Sequence, residues 1–176
     1  MVRKAEMIEL GGYEEHGWAE DYDLWLRYAQ AGKRFYKIPE TLFGWREHET
    51  RLTRTDSRYS VENFIRAKAH YLAQGPLADV PGVILWGAGM MGRRLCKHLQ
   101  RQDLPLIGFL DVDPKKIGKT KRNLPIHAVE ELPALREANP GAIVLAAVSS
   151  RGVREIIREH MAGLGLVEGR DWWAVA

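Results

Sequence analysis

The stretch Val83-Ile84-Leu85-Trp86-Gly87-Ala88-Gly89-Met90-Met91-Gly92 decides the fold. Four apolar residues suited to a buried strand run into glycines spaced G-x-G-x-x-G, and a helical pattern begins at once. Glycines at that spacing make a tight strand-to-helix turn. They let the backbone approach a phosphate and let the helix pack closely on the strand. The helix is expected to run to about Gln102, with Leu95 and Leu99 on its inner face. A second buried strand, Leu106 to Leu110, ends at Asp111, 19 residues after Gly92. An acid at that spacing stands where the ribose hydroxyls of a dinucleotide would be held.

The same alternation continues outward. Asp113-Pro114 begins a turn, Pro125-Ile126 reads as a short strand, and Val129 to Ala138 as a helix. Ala142 to Val148 is a buried strand followed by Ser149-Ser150-Arg151-Gly152, then a helix from Val153 to Ala162, and Trp172 to Val175 closes the sheet. Alternating strands and helices with short connections predict a parallel sheet with right-handed crossovers. Ligands of such folds bind beyond the C-terminal ends of the strands. Gly87, Gly89, Gly92, Asp111 and Ser149 are therefore the expected cofactor-binding residues, for NAD(P) or another nucleotide. A phosphate at the helix N-terminus would meet free backbone N–H groups. A tight turn with no ligand is the competing account.

The chain of 176 residues is 45% hydrophobic and 28% charged, ordinary for a globular protein of one large or two small domains. The single cysteine, Cys96, excludes an internal disulfide framework and a cysteine-rich zinc site, and its place in a helical pattern suits a small buried hydrophobe. No apolar run reaches a membrane span of roughly 20 residues, and no signal-peptide core is present. The expected location is cytoplasmic, with a peripheral place at the inner membrane face as a variant. Residues 1–79 carry 12 Lys/Arg against 13 Asp/Glu, whereas residues 80–176 carry 14 against 10. The excess includes Lys115, Lys116, Lys119, Lys121 and Arg122, which read as a solvated loop. Stacking aromatics are not interleaved there, so no nucleic-acid partner is expected.

Ahead of the glycine turn, Glu20 to Gly32 reads as one short helix with acids at its start and a glycine at its C-terminal cap. Helical spacing places Asp21 on the face of Leu24, Trp25 and Tyr28, and Asp23 with Arg27 in an exposed i, i+4 pair. Arg34 to Ile38 and Thr41 to Trp45 read as two strand-like runs around Pro39. A helix follows from Ser60 to Ala73, and Gly75-Pro76 and Pro81-Gly82 mark a boundary that divides the chain into residues 1–79 and 80–176.

Gly11-Gly12-Tyr13, Ala19 to Arg27 with its Glu20-Asp21 pair, Gly32, Ile38-Pro39 and Arg46-Glu47-His48 together resemble the C-terminal part of family 2 inverting, GT-A-fold glycosyltransferases. The resemblance covers about the first 55 residues. It implies catalytic Asp21 and Glu20, with Asp21 as general base toward an acceptor hydroxyl; a helix-capping role is the alternative. It implies that Arg46 and His48 bind substrate, unless they belong to a solvated loop. The implied partners are a nucleotide-sugar donor and a glycan or lipid-linked acceptor, in polysaccharide or glycoconjugate synthesis, with Mg or Mn only in a complete enzyme. The nucleotide-binding half of such enzymes, with its Asp-x-Asp motif, has no counterpart before Met1, so it is expected as a separate chain or upstream sequence.

Gly87-Ala88-Gly89, Gly108 to Pro114, Gly118, Leu124-Pro125-Ile126 and Glu131-Leu132 resemble the Rossmann-like modules at the N-terminus of sugar O-acyltransferases. The expected fold class is thus α/β: a parallel-sheet, Rossmann-like C-terminal domain preceded by a small mixed α/β remnant of a GT-A domain. An NAD(P)-linked oxidoreductase and a non-catalytic nucleotide-binding module are the alternative functions.

Overall fold

The structure is a computed structural model that describes residues 2–176. The chain divides into two compact units, one running to Tyr71 and the other Leu72–Ala176.

The first unit is helical. It holds α1 (Lys4–Glu9), α2 (Glu20–Gln30), α3 (Leu52–Thr55) and most of α4 (Val61–Gln74). Its small core gathers Trp18, Ala67 and Tyr71, with Tyr22 and Leu26 packed against them. Two expectations fail here. The runs 34–38 and 41–45 form no strands; they are irregular, with Phe35, Tyr36, Leu42, Phe43 and Trp45 exposed. A run of strand-favouring residues makes a strand only where a second strand satisfies its backbone, and none of the described strands lies in this unit.

The two aspartates of α2 also exchange places. Asp21 is exposed and accepts the adjacent Tyr22 N–H at 2.7 Å, whereas Asp23 is fully buried. Trp18 Nε1 and Tyr71 Oη each donate to Asp23 Oδ1 at 2.7 Å, and Arg27 Nε donates to Oδ2 at 2.9 Å. The Asp23–Arg27 pair exists, but inside the core, where those donors compensate the cost of burying a charge. Burial pushes the Asp23 carboxyl up, yet Tyr71, Trp18 and Arg27 together hold it below the usual carboxylate range.

The second unit is an α/β sheet. Its strands are β1 (Val83–Trp86), β2 (Leu106–Asp111), β3 (Thr120–Lys121), β4 (Leu124–Ala128), β5 (Ile143–Ala146) and β6 (Trp172–Ala174), in the order β3-β4-β2-β1-β5-β6. All neighbours are parallel except β3 and β4. β1 and β5 are apolar throughout and buried on both faces, as central parallel strands must be. On one face Ile84, Trp86, Leu110, Val144 and Ala146 pack with Leu132, Ile157 and Met161 from α6 (Leu132–Ala138) and α7 (Val153–Gly163). The alternate residues Leu85, Phe109 and Leu145 point to the other face, where α5 (Met90–Gln100) packs on β1 and β2 and buries Leu95, Cys96 and Leu99. The chain runs from β1 to β2 on one side and returns through β5 on the other. The order therefore reverses at β1, and such a reversal opens a crevice at the strand ends. Among the described residues, no helix is long and apolar enough to cross a membrane.

Candidate functional site

A cleft of about 430 Å³ opens at that reversal, lined among others by Gly87, Gly89, Met90, Asp111, Lys116 and Ser149. The three motif glycines meet three different demands. Gly87 has φ of +113°, and a Cβ there would lie 2.8 Å from Val148 Cγ2. Gly92 is not part of the lining: a Cβ on it would lie 1.8 Å from the Gly87 carbonyl oxygen, so only glycine lets α5 sit on the turn. Gly89 has ordinary extended backbone as the N-cap of α5, and a Cβ there would meet nothing within 4 Å. Its open side faces the free end of the helix. Arg93 N–H is the first α5 donor with a helical acceptor, Gly89 O at 3.0 Å, so the N–H groups before it are free to meet an anion.

The turn is fixed from both sides. Gly87 N–H donates to Leu110 O at 2.7 Å, and Ala147 N–H donates to Trp86 O at 2.8 Å. Asp111, 7% exposed at the end of β2, accepts the Ala88 N–H on Oδ2 and the Asp113 N–H on Oδ1, each at 2.9 Å. Lys116 Nζ lies 3.1 Å from Oδ2 and 3.3 Å from Oδ1. Burial pushes the Asp111 carboxyl up, but the Asp113 and Ala88 N–H groups and the Lys116 ammonium hold it below the usual carboxylate range. The sequence marked Asp111 by its spacing and missed Lys116, which it left in a solvated loop. The Asp113-Pro114 turn is the signal that folds Lys116 back, through Lys116 N–H to Asp113 O at 2.9 Å. Ser149 sits exposed on the rim beyond β5.

The other named residues do not assemble a site. Glu20 accepts the Tyr59 hydroxyl at 2.8 and 3.0 Å; its own backbone N–H and that hydroxyl hold its carboxyl low, while the bond pushes Tyr59 up to about 12. Arg46 and His48 lie in the exposed irregular segment, where His48 Nδ1 is 3.1 Å from Thr50 Oγ1. Among the described residues no hydrogen bond or ion pair joins either to Glu20 or Asp21, and no cluster of His, Cys, Asp and Glu is arranged to hold a metal ion.

Residues 81–166 match the family model described as the CoA binding domain, just under half of the chain. An 83-residue alignment, 46% of this chain, is 32% identical to the redox-sensing transcriptional repressor Rex of Caldicellulosiruptor saccharolyticus. The chain spans 38% of the length of that relative. Among solved structures, UDP-D-quinovosamine 4-dehydrogenase from Vibrio fischeri is 27% identical, over 49% of this chain and 74% of that one, with a TM-score of 0.43. The Rex-family repressor RSP in complex with beta-NADH is 13% identical, over 96% of this chain and 78% of that one, with a TM-score of 0.46. Superpositions this loose transfer no function.

These matches correct the expectations drawn from resemblance. They lie with a CoA-binding domain and a transcriptional repressor, and not with GT-A glycosyltransferases or O-acyltransferase modules. Polysaccharide synthesis, the sugar donor and acceptor, and the divalent metal lose their basis. The exclusion of nucleic acid is overturned as well. The sequence relative is a transcriptional repressor.

Proposed function

We propose that the module beginning near residue 80 binds an adenine nucleotide with a pyrophosphate, either a nicotinamide dinucleotide or CoA, and serves as a binding or sensing module. The observation that carries this reading is the glycine turn. Gly87 and Gly92 close it so tightly that no side chain fits, while Gly89 leaves the helix N-terminus open to the cleft. A turn serving packing alone would need Gly87 and Gly92 and would leave the Gly89 position indifferent. We assign Gly87, Gly89, Gly92, Asp111 and Ser149 to the site; the glycine-turn N–H groups and the start of α5 would hold the pyrophosphate. The family match over residues 81–166 supports the same module.

A binding role is favoured over hydride transfer by the titratable groups of the cleft. Those lining it are Asp111 and Lys116, and each is engaged with the other. A nicotinamide, when bound, supplies redox chemistry of its own; the residues here hold and orient the nucleotide. Isothermal titration of the full chain with NADH, NADPH and CoA tests the reading. One-to-one binding of at least one of them is expected. No heat from any, up to roughly millimolar ligand where a binding free energy is about 4 kcal/mol, would refute it.

A further inference from the structure

Beside the cleft lies a second hollow of about 310 Å³, lined by Met90, Arg93, Arg94, Lys121 and Arg122. Met90 lines the glycine cleft too, so the two share a wall. Four of the five lining residues are cationic, and among the described residues no carboxylate pairs with any of them. Arg93 and Arg94 sit near the N-terminus of α5, where the helix dipole disfavours cations, so helix stability does not explain them.

Lys121 ends β3 and Arg122 begins the turn to β4, where Arg122 and Asn123 take φ of 51° and 63°, backbone that residues other than glycine seldom adopt. That turn is fastened to α5. Arg122 Nε donates to Arg93 O at 2.6 Å, and Gln100 Nε2 donates to Arg122 O at 3.0 Å. Asp111, the acid placed to read a free ribose hydroxyl, is meanwhile taken up by two N–H groups and Lys116.

We infer that this hollow takes a phosphate monoester on the ribose of a nucleotide whose pyrophosphate rests on the glycine turn. Such a group separates NADPH from NADH and CoA from dephospho-CoA. It carries close to two negative charges and three acceptor oxygens, which suits guanidinium and ammonium groups converging from two elements. The inference rests on the nucleotide reading above.

The test is isothermal titration of the full chain with both pairs of ligands, at about 0.05 M and about 0.5 M salt. In at least one pair the phosphate-bearing member is expected to bind about tenfold tighter at low salt, with the preference shrinking at high salt. The pair that shows it identifies the source of the phosphate. The double variant Arg94→Gln, Lys121→Gln, whose side chains make no hydrogen bond or ion pair among the described residues, is expected to bring both members of that pair to one affinity with an unchanged circular-dichroism melt. Equal affinities within both pairs overturn the inference and leave the nucleotide reading standing. A preference that survives in the double variant also overturns it. No binding by any of the four ligands removes the nucleotide reading itself.

Discussion

Replacing Gly89 and Gly92 by alanine, one at a time, separates binding from folding. At Gly92 the new Cβ would lie 1.8 Å from a backbone oxygen, Gly87 O, whereas real Cβ atoms essentially never approach within 3.0 Å. The turn and α5 must part by more than an ångström, and overpacking of that kind costs about 1–3 kcal/mol or more. For a unit of this size the melting temperature should fall by roughly 10 °C. At Gly89 the Cβ meets nothing within 4 Å, and the backbone angles suit any residue. Loss of a glycine N-cap costs about 0.5–1 kcal/mol, and the stiffer unfolded chain offsets a similar amount, so stability should barely change. The methyl group nonetheless projects into the space a pyrophosphate would need. Gly89→Ala should therefore weaken nucleotide binding at least about tenfold, or ~1.4 kcal/mol, at an unchanged melting temperature. Calorimetric titration and thermal melting of both variants read out the two effects. A Gly89→Ala protein that melts normally and binds normally would refute the assignment of the open side of Gly89 to the ligand.

Asp23→Ala should destabilise the first unit by about 2–4 kcal/mol, because it leaves the buried Trp18 N–H and Tyr71 hydroxyl without their acceptor, while Arg27 keeps Glu14 and the Leu10 and Gly12 carbonyls; Asp21→Ala should change stability by under ~0.5 kcal/mol. Thermal melts of the two variants check the contrast, and equal effects would contradict the placement of the two aspartates. Acid should act through the same buried groups. The folded-state carboxyls of Asp23 and Asp111 lie below their unfolded value of about 3.9, so their stabilisation is complete above that pH and is lost as pH falls through the lower folded values. Melting temperatures measured between about pH 6 and pH 3 should be level at first and then drop below roughly pH 4. Cys96 is fully buried with its thiol pushed up to about 11, so Ellman's reagent should label it only in denaturant.

The sheet was legible because its signals are local. Val83–Trp86 and Ile143–Ala146 are continuous apolar runs, and the spacing of Gly87, Gly89 and Gly92 prescribes a strand, a turn and a helix in ten residues. What escaped depends on residues remote in sequence. A helical wheel ranks Asp21 and Asp23 only against their neighbours in α2; Asp23 is drawn inward by Tyr71, 48 residues away. The spacing to Asp111 marked an acid at the crevice, but its bond to Ala88 N–H, 23 residues back, could not be counted from spacing. The runs around Phe35 and Phe43 are rich in residues that favour strands, and composition says nothing about whether a partner strand arrives.

The central claim, that the glycine turn is a nucleotide site, is tested most directly by amide chemical-shift mapping of the labelled full chain as CoA and NADPH are titrated. The account predicts the largest shifts at Ala88, Gly89, Met90 and Met91, with Asp111 and Ser149 following, for whichever ligand binds. Saturable shifts that leave residues 87–92 unmoved, or that fall in the first unit, would contradict it.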